Sequence, residues 1–311
     1  MDLHRLGLVS SRVYHFSLVA RLGSIRQTAL TLNVAPSSIS RSIKQLEEDL
    51  GTPLFDRTKQ RLRLTSAGEL LEHHIKQSTG EMNRAVTEIG DLQGLRRGTV
   101  TLAVIESASR GILTDVLAGF WVRHPEISVD IQVVGSQNAV DLVHQGEADL
   151  ALAFDVRVPR NARRLTSISL PLGVLVSPGS PLTKLRGKLK SYDLSGERVI
   201  LSDGSLTLGS SVEQMFSGAF VEFSRRTKTN SIGLMIDLAT RGLGTILQTK
   251  MGVQAEIARG QLTFIPLSDP GLSLRRLTLV SRPKGEVSEA AQALADVLTS
   301  TLESMRETSR D

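Results

Sequence analysis

The sequence predicts an α/β protein fronted by a winged-helix unit and divided by one long helix. Three observations predict it. Residues 24–65 hold two amphipathic helical stretches followed by a basic hairpin. Residues 66–93 carry an apolar seam with no turn signal inside it. From Thr99 onward short buried runs alternate with helical stretches, the pattern of a mostly parallel sheet covered by helices.

The front takes its order from apolar spacing. A helix over about Ser11–Leu22 puts Val13, Phe16, Val19 and Ala20 on one side, and Ser24–Leu32 adds Ile25, Ala29 and Leu32, with Asn33 and Val34 starting a turn. A third helix runs from about Pro36 to Leu50 and is stopped by Gly51. Proline suits its first position, where the missing N–H loses nothing. Ile39, Ile43, Leu46 and Leu50 form an inward stripe; Ser37, Ser38, Arg41, Lys44 and Gln45 occupy the opposite face. Hydroxyls and a guanidinium at a helix start can meet phosphates and base edges, and the helix N-terminus itself attracts a phosphate. A solvated surface face would use the same residue types. The basic hairpin after Gly51 tips the balance toward DNA contact. Leu54–Thr58 and Arg61–Thr65 read as short strands around Lys59-Gln60, a wing that can grip backbone or minor groove. The candidate DNA contacts are Pro36, Ser37, Ser38, Ser40, Arg41 and Lys44 on the helix, with Arg57, Lys59 and Arg61 on the wing.

Charge is localised. Residues 1–65 hold ten Lys/Arg against five Asp/Glu, whereas the other 246 residues hold 27 of each. The whole net charge of +5 therefore sits on the front, which argues for a polyanionic partner there. The chain has no cysteine, so disulfides and thiolate metal sites are excluded. No apolar run approaches the ~20 residues of a membrane span. The N-terminus lacks the apolar core of a signal peptide, and the expected compartment is the cytoplasm.

Gly23-Ser24, Ala29, Leu32, Ser40, Ile43, Leu46-Glu47, Leu50-Gly51, Leu54-Phe55, Arg57, Leu64-Thr65 and Ala67-Gly68, in this order and spacing, resemble the LysR-type transcriptional regulators. Thr28 departs from the alanine more usual in the family. The resemblance implies a winged helix-turn-helix over residues 1–65, a linker helix and hinge over 66–97, and over 98–311 a two-lobed effector domain like type 2 periplasmic binding proteins. It implies double-stranded DNA and a small-molecule effector as partners, a dimer of dimers, RNA polymerase as a further contact, and no cofactor.

The long helix, about Ser66–Gln93, carries Leu71, Ile75, Ser78, Met82, Ala85, Ile89 and Leu92 alternately four and three residues apart, a heptad pattern. At ~1.5 Å per residue it is roughly 40 Å long. Leu71, Ile75, Met82, Ala85 and Ile89 are the expected contacts with a second copy; packing along its own chain is the alternative. A dimer suits paired half-sites about one duplex turn apart.

In the rear, strands are expected at Thr99–Ile105, Ile127–Val134 and Ala148–Phe154, with helices at Arg110–His124 and Asn138–Gln145. The polar run Arg157–Arg164 reads as a crossover strap. Lobe I would comprise about 98–164 with 269–311, and lobe II about 165–268. In lobe II, strands fall near Leu172–Ser177, Arg198–Leu201, Phe220–Lys228, Thr245–Gln248 and Leu262–Leu267, and helices near Ser210–Ser217, Ile232–Arg241 and Met251–Arg259. Asp269-Pro270-Gly271 turns the chain toward a strand at Leu274–Ser281 and a helix at Ser288–Met305. F-W-V-R-H-P, G-E-A-D-L-A-L-A and R-G-L-G-T-I-L extend the resemblance through this half, although Gln248-Thr249 stands where the family commonly has a proline.

Ligands of open α/β sheets bind beyond the carboxyl ends of strands. The ends here are Glu106-Ser107-Ala108-Ser109, Gly135-Ser136-Gln137, Ser202-Asp203-Gly204-Ser205 and Thr229-Asn230-Ser231, with Gln248 nearby. The candidate effector residues are Ser107, Ser109, Ser136, Gln137, Phe154, Ser202, Asn230, Ser231 and Gln248. Each hydroxyl or amide could instead cap its own helix. Glu106 and Asp203, if they face the cleft, oppose a carboxylate ligand. His73 and His74 are adjacent on one helix and make a poor metal pair, so no metal site is expected. No P-loop, H-E-x-x-H or G-x-S-x-G motif appears, and no catalytic constellation. The rival readings are a winged-helix repressor fused to an enzyme of the biotin-ligase kind, and a plain solute-binding protein.

Overall fold

The computed structural model describes residues 3–56, 62–92, 98–185, 187–202, 224–269 and 274–308. The chain forms two compact units, one over Met1–Leu95 with Gln145–Glu147 and one over Arg96–His144 with Ala148–Asp311.

The first unit runs α1 (Ser11–Leu22), α2 (Ile25–Leu32), α3 (Pro36–Leu50), β1 (Phe55–Asp56), β2 (Arg63–Leu64) and α4 (Ser66–Leu92). Ser10 and Ser24 cap α1 and α2 by accepting the N–H of Val13 and of Gln27. Asn33, at φ 53°, and Gly51, at φ 68°, end α2 and α3 in the left-handed conformation. Phe16, Val19, Ala29, Ile39, Ile43, Leu54 and Phe55 close one core, with the Phe16 and Phe55 rings 5.3 Å apart. The Glu47 carboxylate accepts the N–H groups of Leu54 at 2.9 Å and Phe55 at 3.3 Å, tying the wing to α3. β1 and β2 pair antiparallel, as Phe55 with Leu64 and Asp56 with Arg63.

Two expectations need correction here. Leu50 is 49% exposed, so the apolar stripe of α3 ends at Leu46; the turn at Gly51 leaves the last turn of the helix without a partner surface. Ile75 is buried in the winged-helix core and Leu71 packs against it, so the first two seam residues of α4 serve their own unit.

The second unit begins with β3 (Thr99–Val104), α5 (Glu106–Ala108), a π-helical turn (Ser109–Leu113) and α6 (Thr114–Arg123). β4 (Ser128–Val133), α7 (Ser136–His144), β5 (Leu150–Phe154) and β6 (Arg163–Val176) follow. Next come β7 (Arg198–Ser202), β8 (Ser224–Thr229), α8 (Ile232–Thr240), β9 (Thr245–Thr249) and α9 (Gln254–Ala258). β10 (Thr263–Pro266), β11 (Leu274–Ser281) and α10 (Glu289–Thr308) complete it. The strand order is β4-β3-β5-β11-β6-β9-β7-β8, with β10 also on β6.

The sheet is mixed. Parallel pairs occur inside each lobe, β3 with β4 and β5, and β7 with β8 and β9. β11 and β6 are antiparallel to their neighbours. The expected strap ends early, because β6 starts at Arg163 and runs for 14 residues. Its first part pairs with β11, up to Pro171 opposite Leu274, and its last part pairs with β9 from Leu172. The lobe boundary thus lies inside one strand, near Pro171-Leu172. A proline there reads as a strand start, which hides the first half. The helix expected from Arg110 begins instead at Glu106 through the π turn, α7 begins at Ser136, and the Met251–Arg259 helix contracts to α9. The helix expected at Ser210–Ser217, Phe220–Phe223 and Pro270-Gly271 fall outside the described residues.

Strand alternation builds the cores. In lobe II, Val174, Val176, Val199, Leu201 and Leu247 face one side, whereas Leu175, Ile200 and Ile246 face the other against Ile232, Met235 and Ile236 of α8. In lobe I, Leu102, Val104, Leu150, Leu152 and Leu279 pack against Phe120, Val140, Leu294 and Leu298.

Candidate nucleic-acid interface and effector cleft

On α3, Pro36, Ser37, Ser38, Ser40, Arg41 and Lys44 are all exposed while Ile39 and Ile43 are buried beneath them. The N-cap of α3 is Ala35, which offers no side-chain acceptor; Pro36 has no N–H and the Ser38 N–H donates to the Ala35 carbonyl at 2.9 Å, so in the first turn it is the Ser37 N–H that a phosphate could meet. Arg41 makes no hydrogen bond or ion pair among the described residues, and Lys44 lies 3.5 Å from Glu48 one turn on. The wing candidates Arg57, Lys59 and Arg61 fall outside the described residues. Farther along α4, Met82 is half-buried and Ala85 and Ile89 are exposed, Ile89 at 56%.

Between the lobes, Ser107, Ser136, Phe154, Ser202 and Gln248 line a single cavity of about 30 Å³. These are five of the nine residues expected around an effector. Four others do not reach it. Ser109 Oγ donates to the Glu106 carbonyl, Gln137 donates to Asp141, and Ser231 caps α8 by accepting the Leu234 N–H. Asn230 is exposed at the end of β8. Bonds to near neighbours in sequence claimed Ser109, Gln137 and Ser231, as short polar residues beside helix starts commonly allow. Asp203 falls outside the described residues.

Glu106 does reach the cavity, and its role there is defined by its partners. Oε2 accepts the Ile232 N–H and Oε1 the Gly233 N–H, each at 2.8 Å. A carboxylate of lobe I thus fills the N-terminus of α8 in lobe II, the place an anion would otherwise take. Beside it, Arg110 donates from Nε to the Gly252 carbonyl at 3.2 Å and from Nη2 to Glu256 at 3.0 Å. The two chain segments approach closely because Gly111 and Gly252 have no side chains: a Cβ on Gly111 would lie 2.8 Å from the Gly252 nitrogen.

Residue reading missed Arg275, Met235 and Ile232 in the cavity wall. For Arg275 the signal was present. Strand alternation puts it on the inward face with Leu277 and Leu279, and an arginine there is unusual. Burial pushes its guanidinium below the ordinary value, opposed by Asp155, whose charge and hydrogen bond raise it.

A basic-fronted winged helix joined to a two-lobed, cleft-bearing α/β domain is the build of a ligand-responsive DNA-binding protein. Two family descriptions match it: "Bacterial regulatory helix-turn-helix protein, lysR family" over residues 11–69 and "LysR substrate binding domain" over residues 93–303. The chain belongs to the LysR family of transcriptional regulators. It is 26% identical to a "Probable RuBisCO transcriptional regulator" of Nostoc sp., over 89% of this chain and 83% of that one. It is also 26% identical to the regulator BbuR of Bordetella bronchiseptica, over 92% of this chain and 88% of that one. Among solved structures, full-length CbnR matches with a TM-score of 0.63 at 16% identity, covering 97% of this chain and 99% of its own. Full-length OxyR from Pseudomonas aeruginosa matches with a TM-score of 0.64 at 18% identity, covering 92% and 93%. The family matches span both the front and the rear, so the enzyme-fusion and solute-binding rivals are set aside.

Proposed function

We propose that this regulator reads operator DNA through Ser37, Ser38, Ser40, Arg41 and Lys44, aided by the wing, and that a small molecule in the cleft lined by Ser107, Ser136, Phe154, Ser202 and Gln248 sets its response. One observation supports the second part most: four polar residues from four separate strand ends, Ser107, Ser136, Ser202 and Gln248, border one cavity together with Phe154. The ligand would favour one arrangement of the lobes over another by no more than its difference in affinity for the two. The protein acts in the cytoplasm as a dimer of dimers, joined in part through Met82, Ala85 and Ile89. It contacts RNA polymerase, catalyses no reaction, and holds no cofactor or metal.

The test is genome-wide mapping of bound DNA, then mobility shifts on the recovered fragments with and without metabolite pools. Sequence-selective binding that a pool alters supports the reading; indifference to every fragment refutes it.

A further inference from the structure

The reading of the cleft as the effector site leaves the chemistry of the ligand open, and Arg275 narrows it. This side chain is 6% exposed and lines the cavity. Two contacts hold it. Nε donates to Asp155 Oδ2 at 2.7 Å, and the guanidinium lies 4.7 Å from the centre of the Phe154 ring. The other oxygen of Asp155 accepts the Arg276 N–H at 2.8 Å, so the aspartate is itself fixed. Nη2 remains, buried and without an acceptor. A buried donor on a charged group is costly to leave unpaired.

The remaining wall is consistent with an incoming oxygen. Ser107, Ser136 and Ser202 carry hydroxyls and Gln248 an amide, all of which can donate. Among the described residues, both nearby carboxylates are engaged: Asp155 with Arg275 and Arg276, Glu106 with Ile232 and Gly233. Neither therefore presents an unoccupied oxygen to a ligand amine, and Glu106 has already taken the α8 donors. Among the described residues that line the cavity, Arg275 is the cation left for a ligand.

We propose that the cleft recognises a small oxyanion, a carboxylate or a phosphate, one oxygen of which accepts from Arg275 Nη2. The inference rests on the effector reading of this cleft. A cavity of about 30 Å³ holds one or two water-sized groups, so the acid group enters the closed form and a larger remainder requires the lobes to part.

The experiment uses the full chain at constant ionic strength. Its melting temperature is measured with short mono- and dicarboxylates, with inorganic phosphate and phosphate monoesters, and with the matching amides, amines and alcohols. Carboxylates, phosphates or both should raise the melting temperature, while their uncharged or cationic counterparts leave it unchanged. Comparing the two acid classes shows which source of the oxyanion the cleft prefers. R275M should lose that response, and R123A, altered on the exposed side of α6 instead, should keep it. The inference is overturned if amides act as strongly as acids, if no acid acts, or if the response survives R275M. The wild-type comparison of acid with amide decides the matter even if R275M does not fold. An amine or alcohol that alone alters melting and operator binding removes the anion and leaves the effector cleft standing. A chain that binds no operator under any ligand removes the regulator reading itself.

Discussion

Glu106 caps Gly233: its Oε1 accepts the Gly233 N–H at 2.8 Å, from the start of the first helix of lobe I to the first turn of α8 in lobe II. The second oxygen holds the Ile232 N–H at the same distance. A charged acceptor at a helix N-terminus is worth about 1–2 kcal/mol in a partly exposed setting. Glu106→Ala should lower the stability of the effector domain by about that amount, and Glu106→Gln by less, because one acceptor oxygen remains. Hydrogen exchange at the amides of Ile232 and Gly233 should quicken in both. Unchanged protection at those two amides would show that the lobes are held by other contacts.

Gly252 is the second point where the lobes meet. Its φ is 84°, and a Cβ on it would stand 2.7 Å from the Ser107 carbonyl oxygen. Both the backbone angle and the contact exclude a side chain. Gly252→Ala should destabilise the domain by about 1 kcal/mol or more and bias it toward parted lobes. Small-angle scattering on the full chain should then show a larger radius of gyration than the wild type, and identical curves would refute the bias.

How far these features could be read from sequence depends on the range of the interaction. α1, α3 and α4 have the bounds their apolar spacing and glycine stops predict, because both signals are local. The five cavity residues also followed from a topological rule, since strand ends converge wherever such sheets form. The Glu106–Gly233 cap joins residues 127 apart in the chain, and no periodicity carries that information. Arg275 faced inward by simple alternation, yet its significance depends on Asp155, which occupies one edge of the guanidinium. The burial of Ile75 shows the opposite difficulty. A heptad specifies which face is apolar and is silent on which surface will cover it.

α4 separates two roles along one face. Ile75 belongs to the winged-helix core, whereas Ile89 is 56% exposed. Ile75→Ala should cost about 2–3 kcal/mol in the first unit, toward the low end for core truncations because the residue lies at the rim. Ile89→Lys should leave that stability unchanged and lower the association state seen by sedimentation. An Ile89→Lys protein that sediments like the wild type would remove this part of α4 from the interface.

His15 gives the first unit a pH dependence of known sign. Burial lowers its pKa from the ordinary 6.5, and the nearby His4 lowers it further. Its Nδ1 lies 2.9 Å from Ser42 Oγ on α3. The unfolded chain therefore binds a proton on His15 more readily than the folded one. Stability from this residue is complete above about pH 6.5, declines as pH falls toward the lower folded value, and levels off beneath it. His15→Gln should flatten that part of the melting-temperature profile. A wild-type profile that rises on acidification through the same range would contradict the assigned sign.

Arg41 offers the sharpest test of the groove assignment. It sits one turn beyond Ser37 and Ser38 on the exposed side of α3, and no acidic side chain among the described residues pairs with it. Its guanidinium is thus available in the free protein. Two contacts are open to it, and they leave different signatures. If Arg41 forks onto a guanine, Arg41→Ala should weaken specific binding by about 1–3 kcal/mol and relax the preference at one base pair, with the salt slope little changed. If it grips a phosphate, binding should weaken on every sequence alike, and the slope of log affinity against log salt should drop by about one. Mobility shifts on the operator and on scrambled DNA at several salt concentrations separate the two. Since α3 buries Ile39 and Ile43 beneath this face, the substitution should leave the melting temperature of the first unit unaltered. Affinity, specificity and salt slope that all stay at wild-type values would place Arg41 outside the interface and the recognition surface elsewhere on the unit.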